Sequence, residues 1–543
     1  MTQAPLGRVV AGSLSEGLTV KLDGGASIED VAVGRYTVIQ GVGKRFFGMV
    51  TDVTLESVDA RLSAFPPDPL DPFVAEVLSG TALYGGLKVT PMLTIGSGDG
   101  SGVEGPQPVR TIPAHFSRVT EASEEDMARV FGSEDERHFH VGNPLDMETK
   151  VCLDLDEYAK RSNGVFGKSG TGKTFLTRLL LAGSIQKGTA VNLVFDMHSE
   201  YGWEGRSEER HRVKGLKQLF PSKVAVFTLD PDSSRRRKVS TDYEVKIGYD
   251  EIEPEDINLL RETLNLSQAA AEAAYMLERK FGKKEWLEAT LNMGEGVAEL
   301  ADEINVNPAA LAALLRRLEI LRRMDFLTPH GGGNAVKQIL DHLARGVSVV
   351  LEFGRYETSL TAYILVANLL TRRIHNQYVR GTERALGDDG AEPPRLMITI
   401  EEAHKFLGPA LSGQTTFGMI AREMRKVNVT LLVIDQRPSG IDEEVMSQIG
   451  TKICCLLDNE RDVDRVLSGA SGARQLKTVL AGLDSNRQAL IFGHSVPMPV
   501  VIQTREYGTP EFYKSMQAPV GARVGVSEDG PPLSADDLWG AIE

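Results

Sequence analysis

The run Gly167-Lys168-Ser169-Gly170-Thr171-Gly172-Lys173-Thr174 has the residue types and spacing needed to hold a phosphate. It fits the pattern G-x-x-x-x-G-K-[ST]. Gly167, Gly170 and Gly172 let the backbone curl, so that N–H groups around Ser169 and Thr171 point at one anion. Lys173 then reaches the outer phosphates of a nucleoside triphosphate, and the Thr174 hydroxyl coordinates Mg²⁺. The flanks agree with this reading. Gly164-Val165-Phe166 reads as the end of a short strand, and the apolar run from Phe175 to Ala182 reads as a helix whose N-terminal dipole favours an anion.

A second group of residues has the types needed to attack that phosphate. The apolar run Leu396-Met397-Ile398-Thr399-Ile400 ends in Glu401-Glu402-Ala403-His404. Paired carboxylates at a strand end suit a metal-bound water at Glu401 and a general base or water-positioner at Glu402. Val191-Asn192-Leu193-Val194-Phe195-Asp196 is a further strand, and its C-terminal edge carries Asp196, His198 and Glu200. In a parallel sheet that edge faces the ligand crevice. His198 suits either a catalytic or sensing group or a turn residue bonding locally. The strand from Val429 to Ile434 leads into Asp435-Gln436-Arg437-Pro438, with Gln436 placed to touch the γ-phosphate or its water. Hydrolysis also needs positive charge on that phosphate, commonly an arginine from a neighbouring subunit. Arg161, Arg422 and Arg425 are the candidates.

Elements that position these residues are legible in the patterning. Residues 1–140 alternate short β-rich runs with Gly, Asp and Pro, the signature of a small barrel or sandwich. The Gly-rich segment at 96–109 reads as a loop. Beyond it, strands alternate with helices, as in a parallel α/β sheet. The expected strands are 191–196, 223–228, 347–353, 395–400, 429–434, 451–457 and 487–493. Residues 141–250 and 346–505 form the two parts of a RecA-like core. Residues 251–345 interrupt it as a helical insertion, where Asn307-Pro308 starts a helix and Leu311, Leu314, Leu315, Leu318 and Leu321 follow at helical spacing. Residues 506–543 read as a tail, with 535–542 as a docking peptide or a disordered end. The fold class is therefore α/β, a P-loop ATPase core with an N-terminal small β-barrel and a helical insertion.

Bulk properties narrow the setting. A net charge of −15 over 543 residues argues against a general nucleic-acid coat protein. It leaves room for positive charge concentrated on a small inner surface. No apolar run approaches the roughly 18 residues of a membrane span. Cys152, Cys454 and Cys455 show no metal or disulfide spacing and read as buried packing residues. His138 and His140 share a strand face without a third ligand nearby. A cytoplasmic location is expected.

Taken in order, these motifs resemble one family, the HerA-type hexameric ATPases of the HerA/FtsK superfamily. The matching stretches are Gly167–Thr174, Phe195-Asp196-Met197-His198-Ser199-Glu200-Tyr201, Ile400-Glu401-Glu402-Ala403-His404, Ala421-Arg422-Glu423-Met424-Arg425-Lys426, Asp435-Gln436-Arg437-Pro438 and Asp462-Val463-Asp464-Arg465-Val466. The β-rich N-terminal unit is similar to the barrel that precedes the ATPase in this family. The resemblance implies a homohexameric ring that moves double-stranded DNA at the expense of ATP and Mg²⁺, with a NurA-type nuclease as partner in DNA end resection and recombinational repair. By matching position, Lys173 would bind phosphate, Glu402 would be catalytic, and Arg161 and Arg425 would close the site from a neighbour. Asp435 departs from the pattern, because a small hydroxyl residue often stands there. Two other readings remain: an ATP-closed assembly platform for a defence effector, and a DNA pump of the FtsK or conjugation type.

Overall fold

A computed structural model describes residues 5–517, apart from 24–25, 59–82, 97–105, 146, 207–210, 330–334, 388–391, 410–411, 413–414, 471 and 486. Most of the Gly-rich segment at 96–109, and the peptide at 535–542, lie outside the described residues. The chain divides into two compact units. One draws on Met1–Tyr158, Val165–Lys173 and Gly450–Glu506, the other on Ala159–Gly164, Thr174–Ile449 and Tyr507–Glu543.

The first unit opens with a closed barrel. Strands Pro5–Ser13, Arg118–Glu121, Tyr36–Gln40, Lys44–Ser57, Leu83–Gly96 and Gly17–Leu22 pair antiparallel in that order, and Gly17–Leu22 returns to Pro5–Ser13. Closure leaves these six strands no free edge. The sequence pattern explains which face is inside: Leu18, Val20 and Leu22 alternate inward and pack with Ile39, Phe46, Val50, Val89 and Val119. In the same unit Thr451–Cys454, Gln488–Gly493, Val500–Thr504, His138–Asn143 and Val151–Asp154 pair antiparallel in that order. The buried Tyr36 hydroxyl of the barrel accepts the Val501 N–H at 2.9 Å.

Gln488–Gly493 runs antiparallel to Thr451–Cys454, whereas 487–493 was expected to continue a parallel sheet. The reason lies in their connection. Helices Glu460–Leu467 and Ala473–Ala481 pack on each other as a hairpin, so the chain returns to the end it left and the next strand runs backwards. The strand Val500–Thr504 was not expected.

The second unit holds the parallel sheet, in the order Val224–Thr228, Ser348–Glu352, Val191–Asp196, Leu396–Glu401, Val429–Asp435. These strands are buried along their whole length, as strands covered on both faces must be. Parallel strands all point the same way, so their C-terminal residues share one edge. Glu352, Asp196, Glu401 and Asp435 end four neighbouring strands, and that edge is a row of carboxylates.

Inserted into this unit are helices Pro254–Leu259, Gln268–Phe281, Trp286–Leu291, Val297–Glu303 and Pro308–Leu318. Leu311, Leu314, Leu318 and Leu321 are fully buried there, as the spacing predicts, and Leu315 is half-buried. Arg372, on the long helix Leu360–Leu386, pairs with Glu253 and with Asp256 at 2.9 Å, which anchors the insertion. Within residues 506–543, expected as a tail, Pro510–Met516 forms a helix that buries Phe512 and Met516.

Candidate functional site

The phosphate loop belongs to the first unit up to Lys173. Its conformation rests on glycine at three places. Gly170 and Gly172 adopt φ of +78° and +84°, which residues with a Cβ rarely enter. Gly167 has φ +156°, and a Cβ there would lie 2.7 Å from the Cys455 Cβ and 2.9 Å from the Thr171 hydroxyl. Thr171 is buried and donates to the Lys168 carbonyl at 2.8 Å. The Lys173 ammonium donates to the same carbonyl at 2.6 Å, and Lys168 pairs with Asp458 at 3.0 Å. Ser169 is exposed on the outer turn. Cys152, Cys454 and Cys455 are free thiols and all buried, as expected.

Thr174 opens the second unit, on the helix Lys173–Lys187. Its hydroxyl donates to Glu200 at 3.0 Å. Glu200 sits on the turn that Asp196 organises: the two Asp196 oxygens accept the N–H groups of Glu200 at 2.7 Å, Tyr201 at 2.9 Å and Gly202 at 3.4 Å. Asp196 is completely buried. Burial pushes its carboxyl up, and the three N–H groups draw it back. Asp196, expected to bind the cofactor, has both oxygens engaged by the backbone of this turn. The turn itself bends at Ser199, whose φ is +56°. His198 is exposed beside it.

Tyr201 links this turn to the carboxylate pair. Its buried hydroxyl donates to Glu401 Oε1 at 2.8 Å. The Tyr363 hydroxyl lies 3.2 Å from the Glu401 N–H and 3.1 Å from its carbonyl, which fixes the backbone at the strand end. Glu401 Oε2 is buried and has no hydrogen-bond partner among the described residues. Burial pushes the Glu401 carboxyl up to about 8, and the charges of Asp196 and Glu200 add to the rise. Glu352, in register beside Asp196, is pushed up to about 7 by burial and by that neighbour, although Arg237 pairs with it. Crowded acids with raised protonation are a site that gains from a cation. An orphaned, buried carboxylate oxygen and a hydroxyl are the hard oxygen donors that Mg²⁺ takes. Glu401 and Thr174 therefore fit the metal that the phosphate loop implies.

Glu402 has a different setting. It occupies the left-handed region with φ +50°, unusual for a residue with a side chain. That turn swings its carboxylate out of the buried strand to a position 28% exposed. Gln436 donates to its Oε1 at 3.2 Å, and His404 Nδ1 lies 3.6 Å from its Oε2. Asp435 holds the histidine from behind. It accepts the His404 N–H at 2.6 Å, and its Oδ2 lies 3.0 Å from Nδ1. A carboxylate only accepts, so Nδ1 carries the proton. This bond raises the imidazole above its ordinary range, against the effect of burial. Asp435 is thus the support of His404, which gives the departure at this position a structural task.

The arginine candidates separate. Arg422 is tied within its own unit, to Glu444 at 3.0 Å, to Asp442 at 3.7 Å and to the Ser412 carbonyl at 3.2 Å. Arg425 is exposed on the turn Met424–Val427, and Arg161 is half-buried. Among the described residues neither bonds to the groups above. Sequence reasoning passed over Tyr201 and Tyr363, whose roles carry no signal in spacing. His404 had a signal, two residues after Glu402 in the same motif.

Residues 139–374 match the family described as "Helicase HerA, central domain", and residues 6–84 match the HAS barrel domain. The chain is similar to the DNA double-strand break repair helicase HerA of Sulfurisphaera tokodaii, 24% identical over 73% of this chain and 74% of that one. It is 21% identical to the protein of the same name from Pyrococcus furiosus, over 71% of this chain and 72% of that one. A probable DNA double-strand break repair helicase HerA of Methanocaldococcus jannaschii is 23% identical over 89% of this chain and 92% of that one. Among solved structures, the bacterial conjugative coupling protein TrwBdeltaN70 overlaps 72% of this chain and 93% of its own, with a TM-score of 0.47 and 13% identity, a likeness too slight to bear weight. With a match to the HAS barrel followed by a match to the HerA central domain, and a phosphate loop and paired glutamates on an α/β core, this chain is similar to the HerA-type ATPases.

Proposed function

We propose that the chain is an ATP-driven, homohexameric translocase or helicase of double-stranded DNA that works with a NurA-type nuclease in DNA end resection and recombinational repair. The observation that carries the catalytic part is Glu402, turned out of a buried strand by a left-handed backbone and contacted by Gln436. Strain of this kind persists only where the surroundings hold it, and it concentrates at working sites. The partly exposed carboxylate is available to accept a proton from the attacking water, and Gln436 is positioned to orient it. Lys173 binds the phosphates. Thr174 and Glu401 hold Mg²⁺, which neutralises phosphate charge when bound. Arg161 and Arg425, having no partner of their own among the described residues, suit action on a neighbouring subunit's nucleotide. The DNA substrate and the repair setting are supported by the relatives' names. Among the described residues no helix is long and apolar enough to cross a membrane.

The test is ATP turnover with and without duplex DNA, for the natural chain and for Glu402→Gln. The amide keeps the shape but takes no proton. The reading expects DNA-stimulated turnover that Glu402→Gln loses while it still binds ATP. Turnover indifferent to duplex DNA at every salt concentration would remove the motor, and natural turnover in Glu402→Gln would remove the assignment of the base.

A further inference from the structure

The helical insertion contains a pair of helices that the ATPase machinery does not use. Val297–Glu303 and Pro308–Leu318 pack on each other, and the second also packs on Gln268–Phe281. Four residues join them. The first helix closes with Ile304 N–H on the Leu300 carbonyl and Val306 N–H on the Ala301 carbonyl, both at 2.9 Å. Asn305 makes the corner at φ +56°. Asn307 then caps the second helix by accepting the N–H groups of Ala309 at 2.8 Å and Ala310 at 3.3 Å, and Pro308 occupies the first turn. Ala301 on the first helix is fully buried. Leu300, Leu311 and Leu314 are buried on the same pair of helices. Two packed helices joined by a four-residue turn with one left-handed residue have the connection found in a helix-turn-helix.

Such a unit places its second helix in the major groove of duplex DNA. The outward face here suits close approach. Pro308 and Ala309 are exposed, Ala312 and Ala313 are half-exposed, and all are small. Arg316 and Arg317 follow on the last turn, with Arg323 beyond it; all three are exposed and have no acidic partner among the described residues. Nearby acids are partly neutralised: Glu303 by Lys280, and Glu319 by Arg322 at 3.8 Å. Glu299 and Asp302 remain on the first helix and limit the attraction. A helix of eleven residues is about 16 Å long, and the major groove is about 12 Å wide.

We propose that the helix-turn-helix at 297–318 is a second duplex-DNA contact, separate from the nucleotide site, which seats Pro308–Leu318 in the major groove and places Arg316 and Arg317 on phosphates. The choice of duplex DNA as partner rests on the functional reading above. The face carries alanines where base-reading side chains would stand, and Asn307 is engaged as the cap. The contact is therefore to backbone and groove shape, with little sequence preference.

The test is fluorescence anisotropy of a labelled 30-base-pair duplex with the full chain, without nucleotide, over a salt series. Arg316→Gln combined with Arg317→Gln removes two cations at a solvent-exposed helix end. Duplex affinity should fall at least fivefold at low salt, and the slope of log K against log salt should shrink by about two. Ala309→Asp is the second variant. A carboxylate in the first turn favours the helix, so the fold is retained, yet it faces phosphate and should also weaken binding. Turnover without DNA should be unchanged in both. If both variants bind duplex with natural affinity and slope while DNA still stimulates turnover, this inference is overturned and the motor reading stands. If the natural chain binds no duplex even at low salt, both are overturned.

Discussion

The backbone of Glu402 permits a measurement that separates strain from chemistry. Replacing Glu402 by Ala or by Gly removes the same carboxylate, the same bond from Gln436 and the same neighbour of His404. The two variants differ in the Cβ alone. At φ +50° a Cβ costs about 1–2 kcal/mol, while glycine loses about 0.5–1 kcal/mol more chain entropy on folding. The balance favours Glu402→Gly over Glu402→Ala by about 0.5–1 kcal/mol. In a melting curve of a chain of 543 residues that difference moves the midpoint by only about 0.5–1 °C. Urea unfolding followed by fluorescence of the buried Trp286, in the same unit, gives the finer comparison. Both variants should be inactive in ATP turnover. An alanine variant as stable as the glycine variant, or more so, would refute the claim that this turn is strained to present the glutamate.

Further predictions rest on other contacts. Tyr201→Phe leaves Glu401 Oε1 buried without its donor and should destabilise the chain by about 1–3 kcal/mol in urea unfolding; an unchanged midpoint would contradict the bond. His404 has a raised folded protonation range, chiefly through its hydrogen bond to Asp435. The stabilisation from that pair is therefore complete below about pH 6.5 and is lost as pH rises through the raised folded value. The stability gap between the natural chain and Asp435→Asn should accordingly narrow on going from pH 6 to pH 9. A gap that widens would reverse the sign. If an arginine acts across a subunit boundary, mixing Arg425→Ala or Arg161→Ala subunits with Lys173→Ala subunits should restore some turnover, since the two defects lie in different halves of a shared site. No recovery from either mixture, with assembly intact, would leave the shared site unsupported.

The phosphate loop, the carboxylate pair and the parallel strands follow from local features of the chain. Glycine spacing dictates where the backbone can enter positive φ, as at Gly170 and Gly172. Short, largely apolar, β-branched runs such as Val191–Asp196 and Val429–Asp435 suit strands buried on both faces. Alternation in Gly17–Leu22 marks a barrel wall, and leucine spacing after Asn307 marks a helix. Each is a short-range property, set by neighbours in sequence.

What only the tertiary structure decided are relations between distant residues. Tyr201 and Tyr363 meet at Glu401 across 200 and 38 residues, and no periodicity encodes such a meeting. Asp196 looks like a ligand at a strand end, yet its oxygens take three N–H groups of the following turn, because burial makes unpaired donors costly. Asp435 shows as a departure from a pattern in the sequence and as the anchor of His404 in the structure. The direction of Gln488–Gly493 depended on how two helices folded over between strands, a matter of chain return that side-chain type does not set. Residue types state which chemistry is possible; packing decides which of those groups face the ligand and which hold the others in place.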